Sequence, residues 1–216
     1  MEKGNDFILE RYYVGMLQTN CYLLGDFRVG QAVVIDPGGN SDRIAGRIKQ
    51  LGLELVAILN THAHFDHIMD AWPLKAALGG TVYLHRKDEP LLQDRTVGLG
   101  AVPGLSFSAS NAHIDKWLQE GDRLVFGSIE LEVLETPGHT PGHVSFHFVK
   151  RKLIFVGDTL FAGSIGRTDF PGGSYDQLIR SVREKIFPLN GATIVYPGHG
   201  PETSVEHERR SNPFFA

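Results

Sequence analysis

Seven consecutive residues, Thr61 to His67, read T-H-A-H-F-D-H and supply three imidazoles and a carboxylate. Neutral imidazole and carboxylate are the usual ligands of zinc and of non-haem iron or manganese. His62 and His64 stand two apart and can reach one ion. Asp66 and His67 lie beyond the turn and point elsewhere, so one short loop can serve two ions. Three more ligand-type residues recur at strand ends. His139 sits in T-P-G-H-T-P-G-H (Thr136 to His143), Asp158 in Gly157-Asp158-Thr159, and His199 in Pro197-Gly198-His199-Gly200. The Pro-Gly pairs stiffen the two histidine turns. A carboxylate at the end of a buried strand, as Asp158 is, is costly unless a cation compensates it. The alternative for the first motif is a histidine-rich surface loop without metal, and ligand types at four separate strand ends argue against it.

Two ions a few ångströms apart share a water, lower its pKa towards ~7 from about 15.7, and hold it as hydroxide. They also polarise a carbonyl or phosphoryl oxygen. The pattern therefore predicts a metal-activated hydrolase with two divalent ions per chain, zinc foremost and iron or manganese as alternatives. Asp66 and Asp158 are the candidate catalytic carboxylates as well as ligands. No serine or cysteine nucleophile arrangement competes; Cys21 falls among strand residues and reads as a small core residue.

The elements that must position these residues alternate between strand and helix, which predicts an α/β protein with its site along one edge of the sheets. Strands are expected at 7–14, 19–24, 32–35, 55–59, 81–84, 144–149, 152–156 and 193–196, with a hairpin of 123–126 and 129–136 around Gly127-Ser128. A helix is predicted from about Asp42 to Leu51 with Ser41 as N-cap, and another from Ile68 to Leu78 ending at Gly79-Gly80. Arg86 to Gln93 reads as a charged helix. Ser174 with Gln177 forms a capping box for a helix to about Phe187, and Thr203 with Glu206 caps a short final one. Asp36, before Pro37-Gly38-Gly39, reads as a turn-stabilising residue rather than a ligand. His143 reads either as a second ligand or as a cap for the next strand, His147 as packed, and His85 and His113 as structural or solvated. From Asp94 to about Lys116 no period survives, and so long a connection is a candidate wall of the substrate cleft or a surface excursion.

Composition sets limits on the partners. With 216 residues, 42% apolar and 21% charged, the chain has the make-up of a globular protein, and no linker interrupts it, so residues 1–216 are expected to form one domain. A formal net charge of −4 gives no reason to expect a nucleic-acid partner. A single cysteine suits a reducing compartment, and no apolar run approaches the ~18 residues of a membrane span. With no apolar leader after Met1, the expected location is cytoplasmic. Oligomeric state is not legible.

T-H-A-H-F-D-H followed in this order by the G-H, G-D and G-H elements resembles the metallo-β-lactamase superfamily over nearly the whole chain. The resemblance implies a four-layer αβ/βα sandwich of two mixed sheets flanked by helices. It also implies that one metal takes His62, His64 and His139, a second takes Asp66, His67 and His199, and Asp158 bridges both. Gly157-Asp158-Thr159-Leu160-Phe161, Tyr196-Pro197-Gly198-His199-Gly200 and Asn212-Pro213-Phe214 look most like the glyoxalase II (hydroxyacylglutathione hydrolase) group in its compact bacterial branch. Those enzymes cleave the thioester S-D-lactoylglutathione to D-lactate and glutathione. Typical members carry a longer C-terminal helical region, and supply a lysine and a tyrosine to glutathione after the aspartate. Here Gly166-Arg167-Thr168-Asp169-Phe170 stands instead. Arg167 is the candidate anion partner, and Arg167 and Asp169 are either substrate contacts or a salt bridge within the loop. G-R-T-D-F also resembles the persulfide dioxygenases, which use one iron in the same fold. That activity, or a lactonase or other metallo-hydrolase of the fold, is the alternative.

Overall fold

In the computed structural model, residues 6–94, 97 and 112–216 are described. Two six-stranded sheets face one another. The first runs β1 (Phe7–Val14), β2 (Thr19–Asp26), β3 (Gln31–Ile35), β4 (Glu54–Leu59), β5 (Thr81–His85) and β6 (Lys116–Leu118) in spatial order. Its first three strands pair antiparallel and the rest parallel. The second sheet is ordered β14 (Thr203–Ser204), β13 (Ile194–Pro197), β10 (Leu153–Gly157), β9 (Val144–Phe148), β8 (Ile129–Glu135), β7 (Arg123–Phe126), with only β10 and β13 parallel. A two-stranded ribbon, β11 (Leu160–Phe161) and β12 (Ser164–Ile165), follows β10.

The period of two along each strand builds the layers. Tyr22, Leu24, Val33, Ile35, Ala57 and Leu59 point between the sheets, where they meet Ile129, Leu131, Val133, Phe146, Phe148 and Phe155. Their neighbours Leu23, Ala32, Val34, Leu55 and Ile58 face the other way, onto Ile44 and Ile48 of α1 (Ser41–Gln50) and Trp72 and Leu74 of α3 (Ala71–Leu78). Behind the second sheet, Ile154, Val156 and Val195 pack on Leu178 of α4 (Tyr175–Ser181), on Val182 and Ile186 of the π-helical turns that continue it, and on Val205 of α5 (Val205–Ser211). The result is the expected four-layer αβ/βα sandwich. No helix among the described residues is long and apolar enough to cross a membrane.

Several local expectations need correction. The helix predicted from Ile68 to Leu78 is two pieces, α2 (Phe65–Ile68) and α3, because Pro73 lacks an amide proton and is tolerated only in a first turn. The cap of α1 is Asn40, in left-handed geometry at φ 59°, and Ser41 is the first helical residue, its amide held by Asp70 Oδ2 at 2.8 Å. Arg86 to Gln93, which contains Pro90, winds as a 3-10 helix. Ser204 caps α5 by accepting from the His207 amide, while Thr203 pairs in β14 and donates its hydroxyl to Glu208. Ser174 does cap α4 through the Gln177 amide. The aperiodic stretch ends in an unpredicted edge strand, β6, and residues 95–96 and 98–111 lie outside the described residues, as does any role they have in the cleft.

Candidate metal centre

The four strand ends converge. The loop after β4 carries His62 and His64, and leads into α2 with Asp66 and His67. The turn between β8 and β9 brings His139, the end of β10 brings Asp158, and the turn after β13 brings His199. Ligand atoms of His62, His64 and His139 lie within 4.8 Å of one another, and so do those of Asp66, His67 and His199. Asp158 stands between these triads: Oδ1 is 3.4 Å from His67 Nε2, and Oδ2 is 3.6 Å from His139 Nε2 and 3.7 Å from His199 Nε2. All seven are buried except His199, which is part-exposed.

The hydrogen bonds around the cluster decide which ring nitrogens are free. Asp36 accepts from the Thr61 amide and hydroxyl, both at 2.7 Å, and from His67 Nδ1 at 3.0 Å. The single Thr61 hydroxyl proton is thereby committed, so at 3.0 Å from His62 Nδ1 the oxygen accepts. His62 is thereby fixed with the proton on Nδ1 and the lone pair on Nε2, and so is His67 whenever its ring is neutral. His139 donates Nδ1–H to the Arg167 carbonyl at 2.7 Å, so its Nε2 carries the lone pair and lies 2.8 Å from His64 Nδ1. Three side-chain atoms at the focus are buried without a hydrogen-bond partner among the described residues: His62 Nε2, and His67 Nε2 and Asp158 Oδ1, which face each other at 3.4 Å. Buried polar atoms are rarely left so, and a carboxylate oxygen and two imidazole nitrogens aimed at one place fit metal cations.

Charge tells the same story. Burial, then neighbouring imidazoles, holds His62 well below the ordinary histidine value and His64 down at about 3, so both rings are neutral, the form that ligates. Burial lowers His139 as well. For His67 burial is outweighed by Asp158 and Asp66, which raise its pKa well above the usual value, marking a point where two carboxylates call for positive charge. Against their own burial, His67 and its fellow histidines pull Asp158 below the carboxylate range and Asp66 to about 2.

Neighbouring residues hold several of these ligand positions in place. Thr19 donates to Asp66 Oδ2 at 2.9 Å. Asn20 Nδ2 holds the Pro197 and Gly200 carbonyls, and the Tyr22 hydroxyl holds Pro197 as well, so β2 of one sheet fixes the His199 turn of the other. Gly198 must be glycine: a Cβ there would collide with Asp158 Oδ1 and lie 2.6 Å from His67 Cε1. The Ser174 amide and the Ser181 hydroxyl bond to the Gly138 and Pro137 carbonyls, so α4 braces the His139 turn.

A family model described as the metallo-beta-lactamase superfamily matches residues 14–199, a span that holds all seven converging residues. The chain belongs to the metallo-β-lactamase superfamily. Among its superfamily relatives, the hydroxyacylglutathione hydrolase GloC of Haemophilus influenzae is 41% identical over 206 residues, 93% of this chain and 94% of that one. A crystal structure of BLEG-1 B3 metallo-beta-lactamase superposes with a TM-score of 0.88 at 38% identity, covering 97% of this chain and all of the other. The crystal structure of TTHA1623 in a di-iron-bound form gives 0.81 at 40%, covering 95% and 99%. Family and site together make this chain a superfamily metallo-hydrolase with a His/Asp cluster built for metal.

Other expected residues fall elsewhere. His143 is neither a ligand nor a strand cap. Its Nε2 accepts the Asp158 amide at 3.1 Å and its Nδ1 faces the Thr136 and Thr159 hydroxyls, so both ring nitrogens are occupied. His85 bonds Glu135 and the Lys87 amide, His147 packs across from Glu132, and His113 is exposed. Asp36 is no ligand, as expected, but its carboxylate orients two histidines rather than stabilising its own turn. Arg167 and Asp169 form the salt bridge, with two contacts of 2.8 Å, and the guanidinium stacks 3.6 Å over Phe170, whose ring packs edge-on against His64. Thr19, Thr61, Asp88 and the Arg167 carbonyl escaped the sequence reading. Of these, only Thr61 carried a signal, as the hydroxyl beside the first histidine.

Proposed function

We propose that this chain is a two-metal hydrolase that cleaves a thioester such as S-D-lactoylglutathione. The observation that carries the reading is the set of three buried atoms without a hydrogen-bond partner among the described residues, His62 Nε2, His67 Nε2 and Asp158 Oδ1, at the meeting point of two ligand triads. His62, His64 and His139 would hold one ion and Asp66, His67 and His199 the other, with Asp158 shared between them. When bound, such ions supply Lewis acidity to a carbonyl oxygen and depress the pKa of water towards ~7.

The chain's own residues do the rest. Asp36 and the Arg167 carbonyl hold three imidazoles in the ligating tautomer. A cleft of about 460 Å³ opens over the cluster, with Leu17, Phe65, Phe161, Ile165 and Phe170 on its walls and the Arg167 side chain at its edge. Apolar walls shield the reacting carbonyl from bulk water, and Arg167 offers an anion partner for an acid group on the substrate. The relative named hydroxyacylglutathione hydrolase supports a thioester with a small hydroxyacyl part.

A second reading, β-lactam hydrolysis, draws on the likeness to the BLEG-1 structure. A thioester and a lactam present the same carbonyl but different leaving groups, so a direct comparison separates them. The zinc-loaded protein should release thiol from S-D-lactoylglutathione and lose that activity to a chelator, with β-lactams turned over far more slowly. A kcat/KM for a β-lactam above that for the thioester would reverse the order of the two readings.

A further inference from the structure

Asp88 lies outside both triads, in the 3-10 segment after β5, and its side chain is fully buried. No ion pair reaches it among the described residues. Its charge is met by three donors. Oδ2 accepts from the Ala63 amide at 3.1 Å and the Thr140 hydroxyl at 2.7 Å, and Oδ1 accepts from the Gly142 amide at 2.6 Å. Ala63 is the residue between His62 and His64, and Thr140 is the residue after His139. One carboxylate therefore ties together the two loops whose histidines form the three-histidine triad. Gly142 sits so close that a Cβ would come within 2.7 Å of the Asp88 amide nitrogen and of Oδ1, which leaves the clamp no slack. A backbone bond from the Val144 amide to the Thr61 carbonyl joins the same loops on the strand side. Asp66, His67 and His199 have no bond to Asp88.

We propose that Asp88 is a positioning residue that sets the spacing of His62 and His64 from His139, and thereby the affinity of one metal site and not the other. The proposal rests on the two-metal reading above. A carboxamide cannot replace this carboxylate. Whichever way an asparagine turns, its NH2 meets either the Gly142 amide or the Ala63 amide, donor against donor. Once that hydrogen bond is broken, the loops are free to separate by the fraction of an ångström that a rigid ligand set does not tolerate.

The test is a zinc titration against a competing chelator on the full chain, comparing wild type, Asp88→Asn and His139→Ala. Wild type should show two binding constants. Asp88→Asn should weaken one of them 10–100-fold, the usual effect of losing a partner that orients ligands, and keep the constant that survives in His139→Ala. Thr140→Val removes a single hydrogen bond to the carboxylate and should weaken the same constant by about tenfold. It answers the question should Asp88→Asn fail to fold. Both constants unchanged in folded protein, with only the melting temperature lowered, would make Asp88 a structural residue and overturn the proposal. An equal fall of both constants would overturn it too. A wild-type chain that takes up no zinc would instead remove the two-metal reading itself.

Discussion

Asp36→Asn is the most informative single substitution, because one carboxylate there serves a histidine of each triad. In the native arrangement Oδ2 accepts from the Thr61 hydroxyl and from His67 Nδ1, while Oδ1 accepts from the Thr61 amide. An asparagine that keeps its oxygen on the Thr61 amide presents NH2 to the other two groups. His67 Nδ1 must then accept, which moves its proton to Nε2. The Thr61 hydroxyl becomes an acceptor and turns its proton towards His62 Nδ1, which shifts that ring to the wrong tautomer too. The opposite amide orientation leaves the buried Thr61 amide facing a donor, at a cost of about 1–3 kcal/mol. Losing a ligand-orienting partner weakens metal binding by about 10–100-fold, or about 1.4–2.7 kcal/mol. Here both binding constants should fall by that factor, in contrast to the one-site effect expected of Asp88→Asn. Chelator-competition titration with circular dichroism as a fold control reads this directly. A folded Asp36→Asn protein that binds both ions as tightly as wild type would refute the tautomer argument.

Other outcomes follow from the same geometry. Asp158→Ala should loosen both ions and abolish turnover. Cys21→Ala should keep activity within about twofold while costing about 1 kcal/mol of stability for the small cavity, since burial pushes that thiol well above the range of a nucleophilic thiolate; a folded but inactive Cys21→Ala protein would call for thiol chemistry. Arg167→Ala should raise KM by about two- to fivefold with little change in kcat, the range of an exposed ion pair, and unchanged kinetics would confine Arg167 to its bridge with Asp169. Burial raises Asp88 from 3.8 to about 6, so between those values the folded chain binds its proton more tightly than the unfolded one. That contribution to stability is full below about pH 4 and is lost as pH rises through 6, a span worth about 3 kcal/mol. Metal-free wild type measured against metal-free Asp88→Asn should show this slope, and parallel pH profiles would contradict it.

The sequence made the ligand-type residues legible because chemistry constrains them locally. Histidines two apart, and single histidines or a carboxylate after a buried strand and beside glycine, leave few other readings. The strand-and-helix alternation was legible for the same reason, since the apolar periods of two and 3.6 carry the layers directly. What stayed hidden depends on partners distant in sequence. Asp88 meets residues 25, 52 and 54 positions away, and nothing in R-K-D-E-P marks its third residue as inward-facing. Arg167 attracted notice for its guanidinium, yet the atom that bonds His139 is its carbonyl, which any residue type supplies. Asp36 could have been found. It is a carboxylate at the end of a buried strand, as costly without compensation as Asp158. The break in the helix after the metal loop is written in Pro73, but the apolar spacing around it continues from Ile68 to Leu78.

The convergence of two triads on one shared aspartate is tested most directly by metal stoichiometry. Elemental analysis of protein purified without chelators should approach two ions per chain, with His139→Ala and His199→Ala each reduced to about one. A reproducible single ion in wild type, not raised by added zinc, iron or manganese, would contradict the shared two-metal centre.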